Sequence, residues 1–240
     1  MNKSKILITI VVVLSVLFII FQYNEREVLA CLSRAFIVPV FTILYFQTIK
    51  RKSFYFSMFL ILFSITDLSA IFSDYIPYVI DYFVGNGLYI IAYFFLLLEI
   101  FKSLDFKYIL KNYVFHLIIL LGLNIYIIYV LLNIVYPYDD ISPEYFVELT
   151  YNVVTLILLS VSLLNYFYRD NRKSFMLFIG SLCMVFSEVI QVAYMYISEK
   201  NLLIFSSSIF SILAFYFFCC QASLKNKKAR NTSLISPEAS

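Results

Sequence analysis

Long apolar stretches separated by short polar segments are the dominant pattern along this chain of 240 residues. Each stretch is close to the roughly 20 residues that a helix needs, at about 1.5 Å per residue, to cross a hydrocarbon core about 30 Å thick. The stretches cover 5–23, 28–46, 54–72, 78–101, 110–136, 145–168, 175–197 and 202–221. They predict an all-α fold, a polytopic membrane helical bundle with eight transmembrane helices.

Composition supports this fold class. The chain is 62% hydrophobic and 14% charged, whereas a soluble domain is about 45–50% apolar and about 25% charged. We expect residues 1–221 to form a single transmembrane bundle and residues 222–240 to form a basic, disordered cytoplasmic tail. With only 4 Gly and 5 Pro, we expect few interrupted helices, which argues against a transporter built from broken helices.

The distribution of basic residues predicts the orientation of the bundle. Fifteen of the 18 Lys and Arg residues lie on one side of the predicted membrane, Arg26 and Lys200 lie on the other, and Arg34 lies inside it. The positive-inside rule then places both termini in the cytoplasm. We expect an integral protein of a bacterial inner membrane.

Three ionisable residues lie deep within the predicted spans. Arg34, Asp67 and Glu188 lie roughly 9, 8 and 14 Å below the outer ends of their helices, at about 1.5 Å per residue. A charge at mid-membrane costs about 2.5–3.5 kcal/mol on insertion scales, so these side chains should face the bundle interior. They predict either a polar cavity in the outer half of the membrane or an ion pair in which Arg34 neutralises Asp67 or Glu188.

The other polar positions form a weaker pattern. Asp81 and Glu148 are expected at the outer mouths of their helices, in contact with water. His116, the only histidine, is interpreted as a polar core residue. Two further helices each carry polar residues on one face at helical spacing. These residues are Glu148, Asn152 and Thr155 on the sixth span, and Ser181, Glu188 and Gln191 on the seventh.

Four short motifs keep the order and spacing of a known family. Arg34 precedes the apolar run FIVPVFTILYF, and FSITD ends in Asp67 on the third span. FVGNGLYIIAY ends in Tyr93 on the fourth span, and Gly180 precedes FSE, which ends in Glu188, on the seventh. With these motifs the chain resembles the YhhN-like lysoplasmalogenase family of eight-helix membrane proteins, as a divergent member.

The departures from the family pattern fall at positions that matter for activity. Tyr93 stands where the family has histidine, Glu188 where it has aspartate and Thr66 where glycine is usual. Ser33-Arg34-Ala35 precedes the apolar run of the second span, where the family has a Lys-Pro pair. The resemblance implies hydrolysis of the vinyl ether bond of a lysolipid, which releases a fatty aldehyde. It implies Asp67 and Glu188 as the catalytic carboxyl groups, with Arg34 and Tyr93 as substrate-binding residues or charge partners.

This chemistry suits a pair of carboxyl groups, because one can protonate the alkene while the other orients water. No cofactor or metal is expected, since the four cysteines show no ligand spacing and no nucleotide, metal or nucleophilic-serine motif is present. The expected partners are the membrane and a lipid or lysolipid substrate, with no nucleic acid. Two alternatives stay open: a non-catalytic membrane protein of the same fold, and a small-molecule transporter, although no internal repeat is visible.

Overall fold

The computed structural model, which describes residues 3–136 and 142–224, confirms an all-α bundle: it contains no strand in those ranges. Eight helical segments are long and apolar enough to cross a membrane. The predicted tail beyond Leu224 lies outside the described residues. The helices are α1 (Lys3–Tyr23), α2 (Glu27–Ala35), α3 (Ile37–Thr48), α4 (Phe54–Ser69), α5 (Tyr78–Phe101), α6 (Phe106–Asn112), α7 (Val114–Val135), α8 (Pro143–Arg169), α9 (Arg172–Tyr196) and α10 (Asn201–Ser223).

The second and third spans are interrupted, contrary to the expectation from the low glycine and proline content. The second span divides into α2 and α3 at Phe36. Pro39 explains the break, because it has no N–H to donate to the carbonyl four residues earlier, and its ring crowds that carbonyl. The third span continues past α4 as a 3₁₀ segment, Ala70–Tyr75. Both interruptions adjoin a predicted site residue, Arg34 in the first case and Asp67 in the second.

The fifth span begins later than predicted. Residues 106–112 form the separate short helix α6, and the membrane-spanning helix α7 starts at Val114 instead of 110. Tyr113 lies between them with a non-helical backbone. Asp105 caps the start of α6, since its carboxylate accepts hydrogen bonds from the backbone N–H groups of Lys107 and Tyr108, as an N-cap residue does.

Six of the eight spans form a closed ring. Around it, α3 packs against α4, α4 against α5, α5 against α8, α8 against α9, α9 against α10, and α10 against α3. The remaining spans lie outside the ring, with α1 against α2 and α3 and α7 mainly against α8. Both outer helices are mostly exposed, which fits apolar surfaces that face lipid.

An aromatic layer fills the middle of the ring. Phe59, Tyr93, Phe215 and Phe218 have no exposed surface, and the Phe59 and Phe215 rings stack with centroids 6.0 Å apart. Helices α9 and α10 pack tightly beside this layer, where a Cβ on Gly180 would lie 2.7 Å from the Phe218 ring. Glycine at this position therefore lets α9 and α10 pack together. The layer separates two polar regions of the bundle.

Candidate functional site

Arg34 occupies the last turn of α2, directly before the break at Phe36. Its Nη2 donates a hydrogen bond of 2.6 Å to Oε1 of Gln191 on α9. In the described part of the chain, no carboxylate oxygen of Asp67 or Glu188 lies within 4.0 Å of the guanidinium. The predicted ion pair is thus replaced by a contact with a neutral amide, and most of the guanidinium N–H donors remain for other acceptors.

Asp67 lies near the end of α4, where the helix tightens into the 3₁₀ segment. Its Oδ1 accepts a hydrogen bond of 2.7 Å from the hydroxyl of Tyr89 on α5. The helix change allows the carboxylate to face the interior, because irregular backbone at membrane depth is tolerated where it borders a cavity in the protein. Asp67 therefore joins the site through a tyrosine.

Glu188 lies on α9, with the fully buried Tyr93 opposite it on α5. The Tyr93 hydroxyl donates to Glu188 Oε1 at 3.0 Å. The preceding residue, Ser187, donates to the backbone carbonyl of Ser207 on α10 at 2.8 Å, which holds this part of α9 in place. Each of three predicted site residues, Arg34, Asp67 and Glu188, is thus held by a side chain from another helix. The fourth, Tyr93, is the side chain that holds Glu188.

One face of α5 connects the two carboxylates. Tyr89 and Tyr93 are four residues apart, so they lie on the same side of the helix about 6 Å apart along its axis. Tyr89 binds Asp67 and Tyr93 binds Glu188. The structure therefore brings Asp67 and Glu188 to adjacent positions along one helix face, although they come from helices that are distant in sequence.

Three adjoining cavities surround these residues. The Asp67 cavity, about 80 Å³, is bordered by Arg34, Asp67, Tyr89, Glu188 and Gln191. The Glu188 cavity, about 130 Å³, shares Tyr89, Glu188 and Gln191 with it. The Arg34 cavity, about 380 Å³, shares Arg34, Asp67, Tyr89 and Gln191. Because Tyr89 and Gln191 border all three, the cavities adjoin one another. We call them together the polar interior, and they have space for several water molecules.

Two buried polar atoms in the walls of this interior lack a partner. Within the described residues, Asn152 Nδ2 and Ser208 Oγ make no hydrogen bond, and both side chains are at least nine-tenths buried. Asn152 borders the Glu188 cavity and Ser208 the Asp67 cavity. An unpaired buried polar group costs about 1–3 kcal/mol. These atoms therefore point to a water molecule or a polar ligand group inside the cavities.

The weaker sequence signals have mixed outcomes. The polar faces of the sixth and seventh spans do contribute to the cavities, through Asn152, Thr155, Glu188 and Gln191. Glu148, expected at the mouth, also borders the Glu188 cavity. His116 is exposed on α7, where its ring meets the ring of Phe167 at 5.5 Å, so its interpretation as a core residue is wrong.

Tyr89 and Tyr151 were not predicted. Tyr151 on α8 borders both the Asp67 and the Glu188 cavity, and its ring meets the Tyr93 ring edge-on at 5.7 Å. Because the chain has 21 tyrosines, the sequence alone does not show which of them bind carboxylates. The available signal was the spacing of Tyr89 and Tyr93, which puts two hydroxyl donors on the face of α5 opposite two buried acids.

No family model, no curated protein and no solved structure matches this chain. What the fold and the cavities define is an integral membrane helical bundle with a polar interior. Among the described residues, no group of three or more His, Cys, Asp or Glu side chains could hold a metal ion. The resemblance to the YhhN-like lysoplasmalogenases stays a prediction from the sequence motifs.

Proposed function

We propose that this protein is a membrane-embedded lysolipid hydrolase, a divergent relative of the YhhN-like lysoplasmalogenases that cleaves a vinyl ether and releases a fatty aldehyde. One observation carries the proposal. Asp67 and Glu188, from α4 and α9, border the same cavity, and each is held by a tyrosine of α5. Two positioned carboxyl groups beside a space for water are what this hydrolysis needs.

The reaction consumes one water and breaks one carbon–oxygen bond. A carboxylic acid donates its proton to the alkene carbon remote from the ether oxygen, which leaves an oxocarbenium ion. Water adds to the carbon beside that oxygen and gives up a proton to the second carboxylate. The resulting hemiacetal gives its hydroxyl proton back to the first carboxylate as its bond to the glycerol oxygen breaks. The glycerol oxygen takes the proton held by the second carboxyl group and leaves as an alcohol, and the remaining fragment is the aldehyde.

Asp67 and Glu188 share the acid and base roles, in the manner of the carboxyl pairs of glycosidases. The Tyr89 and Tyr93 hydroxyls orient them, since a hydrogen bond from each tyrosine fixes one carboxylate oxygen. The unpaired Ser208 hydroxyl, in the wall of the Asp67 cavity, is a group to which the attacking water can bind. Asn152 offers an N–H donor in the neighbouring Glu188 cavity.

Arg34 is assigned to the substrate head group. Among the described residues, its guanidinium donates one hydrogen bond, to Gln191, and has further N–H donors. Guanidinium groups bind phosphate by paired hydrogen bonds. The Arg34 cavity is the largest of the three and reaches α1 and α10 through Phe18 and Ile204. A single-chain lipid can approach along that side of the bundle.

The alternative is a non-catalytic protein of the same fold, and one observation favours it. Each ionisable residue of the proposed site already has a neutral partner: Gln191 for Arg34, Tyr89 for Asp67 and Tyr93 for Glu188. A buried network whose members satisfy one another can be retained for packing alone. In that case the cavities would hold only water.

Incubation of the purified full-length protein with a lysoplasmalogen, followed by measurement of released fatty aldehyde, distinguishes the two. We expect release by the wild type and none by Asp67→Asn or Glu188→Gln. Asp81→Asn is the matched control, because it neutralises a carboxylate on α5 that borders none of the three cavities. Absence of aldehyde from a well-folded wild type would contradict the proposal, as would equal rates in all four proteins.

A further inference from the structure

A second polar cavity lies on the other side of the aromatic layer. It measures about 190 Å³ and is enclosed by the start of α4, the end of α5, the end of α8 and the start of α9. We call it the basic pocket, because among the described residues Lys102, Arg169 and Lys173 border it together with one carboxylate, Glu99. Three cations against one anion leave it positively charged.

The carboxylate in the pocket does not bind the cations. Glu99 Oε2 accepts a hydrogen bond from the Ser53 hydroxyl. Across the described residues, no Lys or Arg nitrogen lies within 4.0 Å of a Glu99 oxygen. With three cations and one carboxylate among its described residues, the pocket keeps an excess of positive charge.

Two of its three cations are held in place by neutral groups. Arg169 donates from Nε and Nη2 to the backbone carbonyl of Ser103, at 3.0 and 2.8 Å, which orients the guanidinium and leaves its other N–H donors for a ligand. Lys102 Nζ lies 3.8 Å from the centre of the Tyr55 ring. Lys173 is half-buried at the pocket wall. Such positioning favours an anion that offers several acceptor oxygens.

The start of α9 adds to the positive electrostatic potential of the basic pocket. Asn171 caps this helix by accepting a hydrogen bond of 2.9 Å from the backbone N–H of Ser174, and both residues border the pocket. The first turn of a helix carries backbone N–H groups without intrahelical partners and a partial positive charge. Phosphate groups bind at such ends. Here a 25-residue helix meets three basic side chains.

The pocket lies at the ends of the spans, where a lipid head group would be. It is also at the end of the bundle that carries most of the Lys and Arg residues, which the positive-inside rule predicts to be cytoplasmic. Basic pockets between transmembrane helices on that side bind phosphorylated head groups. We propose that the basic pocket binds a phosphate-bearing anion, from the head group of an anionic phospholipid or from free phosphate.

The test is thermal unfolding of the detergent-solubilised full-length chain during titration with phosphatidylglycerol, phosphatidylcholine or inorganic phosphate. We expect phosphatidylglycerol to raise the Tm and phosphatidylcholine to have no comparable effect. Lys173→Gln should raise the apparent Kd about fivefold to tenfold, as for the loss of one basic contact at the membrane surface. Lys173→Arg, which keeps the charge, should bind like the wild type.

Arg172→Gln is the matched control, because it removes the same charge from the neighbouring residue, which is exposed and does not border the pocket. It should change the apparent Kd less than twofold. Stabilisation by inorganic phosphate with the same dependence on Lys173 would support the pocket and identify free phosphate as the source. Equal losses in Lys173→Gln and Arg172→Gln, or equal effects of both lipids together with no effect of phosphate, would overturn the proposal.

Discussion

The two polar regions on either side of the aromatic layer accommodate charge in different ways. In the region around Asp67 and Glu188, every ionisable residue that we assign to the site is bound by a neutral side chain from another helix. In the basic pocket, Lys102 lies at the exposed end of α5 and Lys173 is half-buried at the start of α9. Deep in the membrane a charge needs a hydrogen-bond partner in the protein, whereas at the bundle end water can serve.

The two regions also differ in how much their charged residues contribute to the stability of the fold. The partners of the deep residues come from α5 and α9, which are both members of the ring, so the network and the packing support each other. The pocket residues sit at helix ends, where removal of one charge leaves the core unchanged. Equal substitutions in the two regions should therefore have unequal effects on stability.

The largest difference is expected between Arg34→Met and Lys173→Met. The first leaves Gln191 without its partner and two carboxylates without the nearest cation, at a cost on the order of 3 kcal/mol. The second removes a charge that water can solvate and should cost less than about 1 kcal/mol. Thermal unfolding in detergent, without added lipid or phosphate, compares the two directly.

A double variant tests the cause of that cost. If Arg34 offsets the charge of Asp67 across the shared cavity, Arg34→Met combined with Asp67→Asn should recover part of the lost Tm. No recovery would assign the whole loss to the Gln191 contact. Equal losses in Arg34→Met and Lys173→Met would break the distinction between the two regions.

Smaller effects are expected from removal of the tyrosine hydroxyls. Tyr89→Phe and Tyr93→Phe each take a donor away from a carboxylate at membrane depth, which should cost about 1–3 kcal/mol. Tyr166→Phe is the control, because it also removes one hydroxyl and keeps the ring, which packs against Phe178, whereas the hydroxyls bound to Asp67 and Glu188 are those of Tyr89 and Tyr93. Thermal unfolding should rank both site variants below the control, and aldehyde release should fall in the same two variants. A control as damaging as the site variants would show that the loss does not depend on the hydrogen bond to a carboxylate.

The number of membrane-spanning helices was predictable from the sequence, because the thickness and apolar character of the membrane core fix how long and how apolar each span must be. The positions of Arg34, Asp67 and Glu188 in one polar interior were likewise predictable, since a buried charge must face inward. Their partners were not. Reasoning from charge pairs Arg34 with an acid, but the side chain it meets is Gln191, whose position depends on the rotation of α9 in the ring.

The helix interruptions show the same limit. Pro39 was visible in the sequence, yet the break at Phe36 depends on whether the surrounding helices keep the span straight. The 3₁₀ segment after α4 contains no proline or glycine. Pro77, two residues after its end, indicates where the helical backbone stops but not where the α-helix changes to a 3₁₀ helix. Since both interruptions border the cavities, low glycine and proline content is no argument against a transporter, and uptake assays would become the next step if no hydrolysis is found.

The smallest expected effect concerns the two positions that depart from the family pattern. Tyr93 and Glu188 stand where the YhhN-like proteins have histidine and aspartate, and here they contact each other at 3.0 Å. Histidine and aspartate are both shorter, so the pair of replacements opens a gap that a bridging water can fill. Glu188→Asp or Tyr93→His alone leaves one partner without its direct contact.

We therefore expect the two replacements to be coupled. Glu188→Asp and Tyr93→His should each lower the Tm. The loss of unfolding free energy in the double variant should be smaller than the sum of the two single losses by about 1 kcal/mol, within the range measured for residues in contact. Aldehyde release should be highest in the double variant, because the gap places water beside Asp67 and the new aspartate. Additive changes in both Tm and rate would mean that the contact does not control water in the cavity, and that these two positions diverged independently.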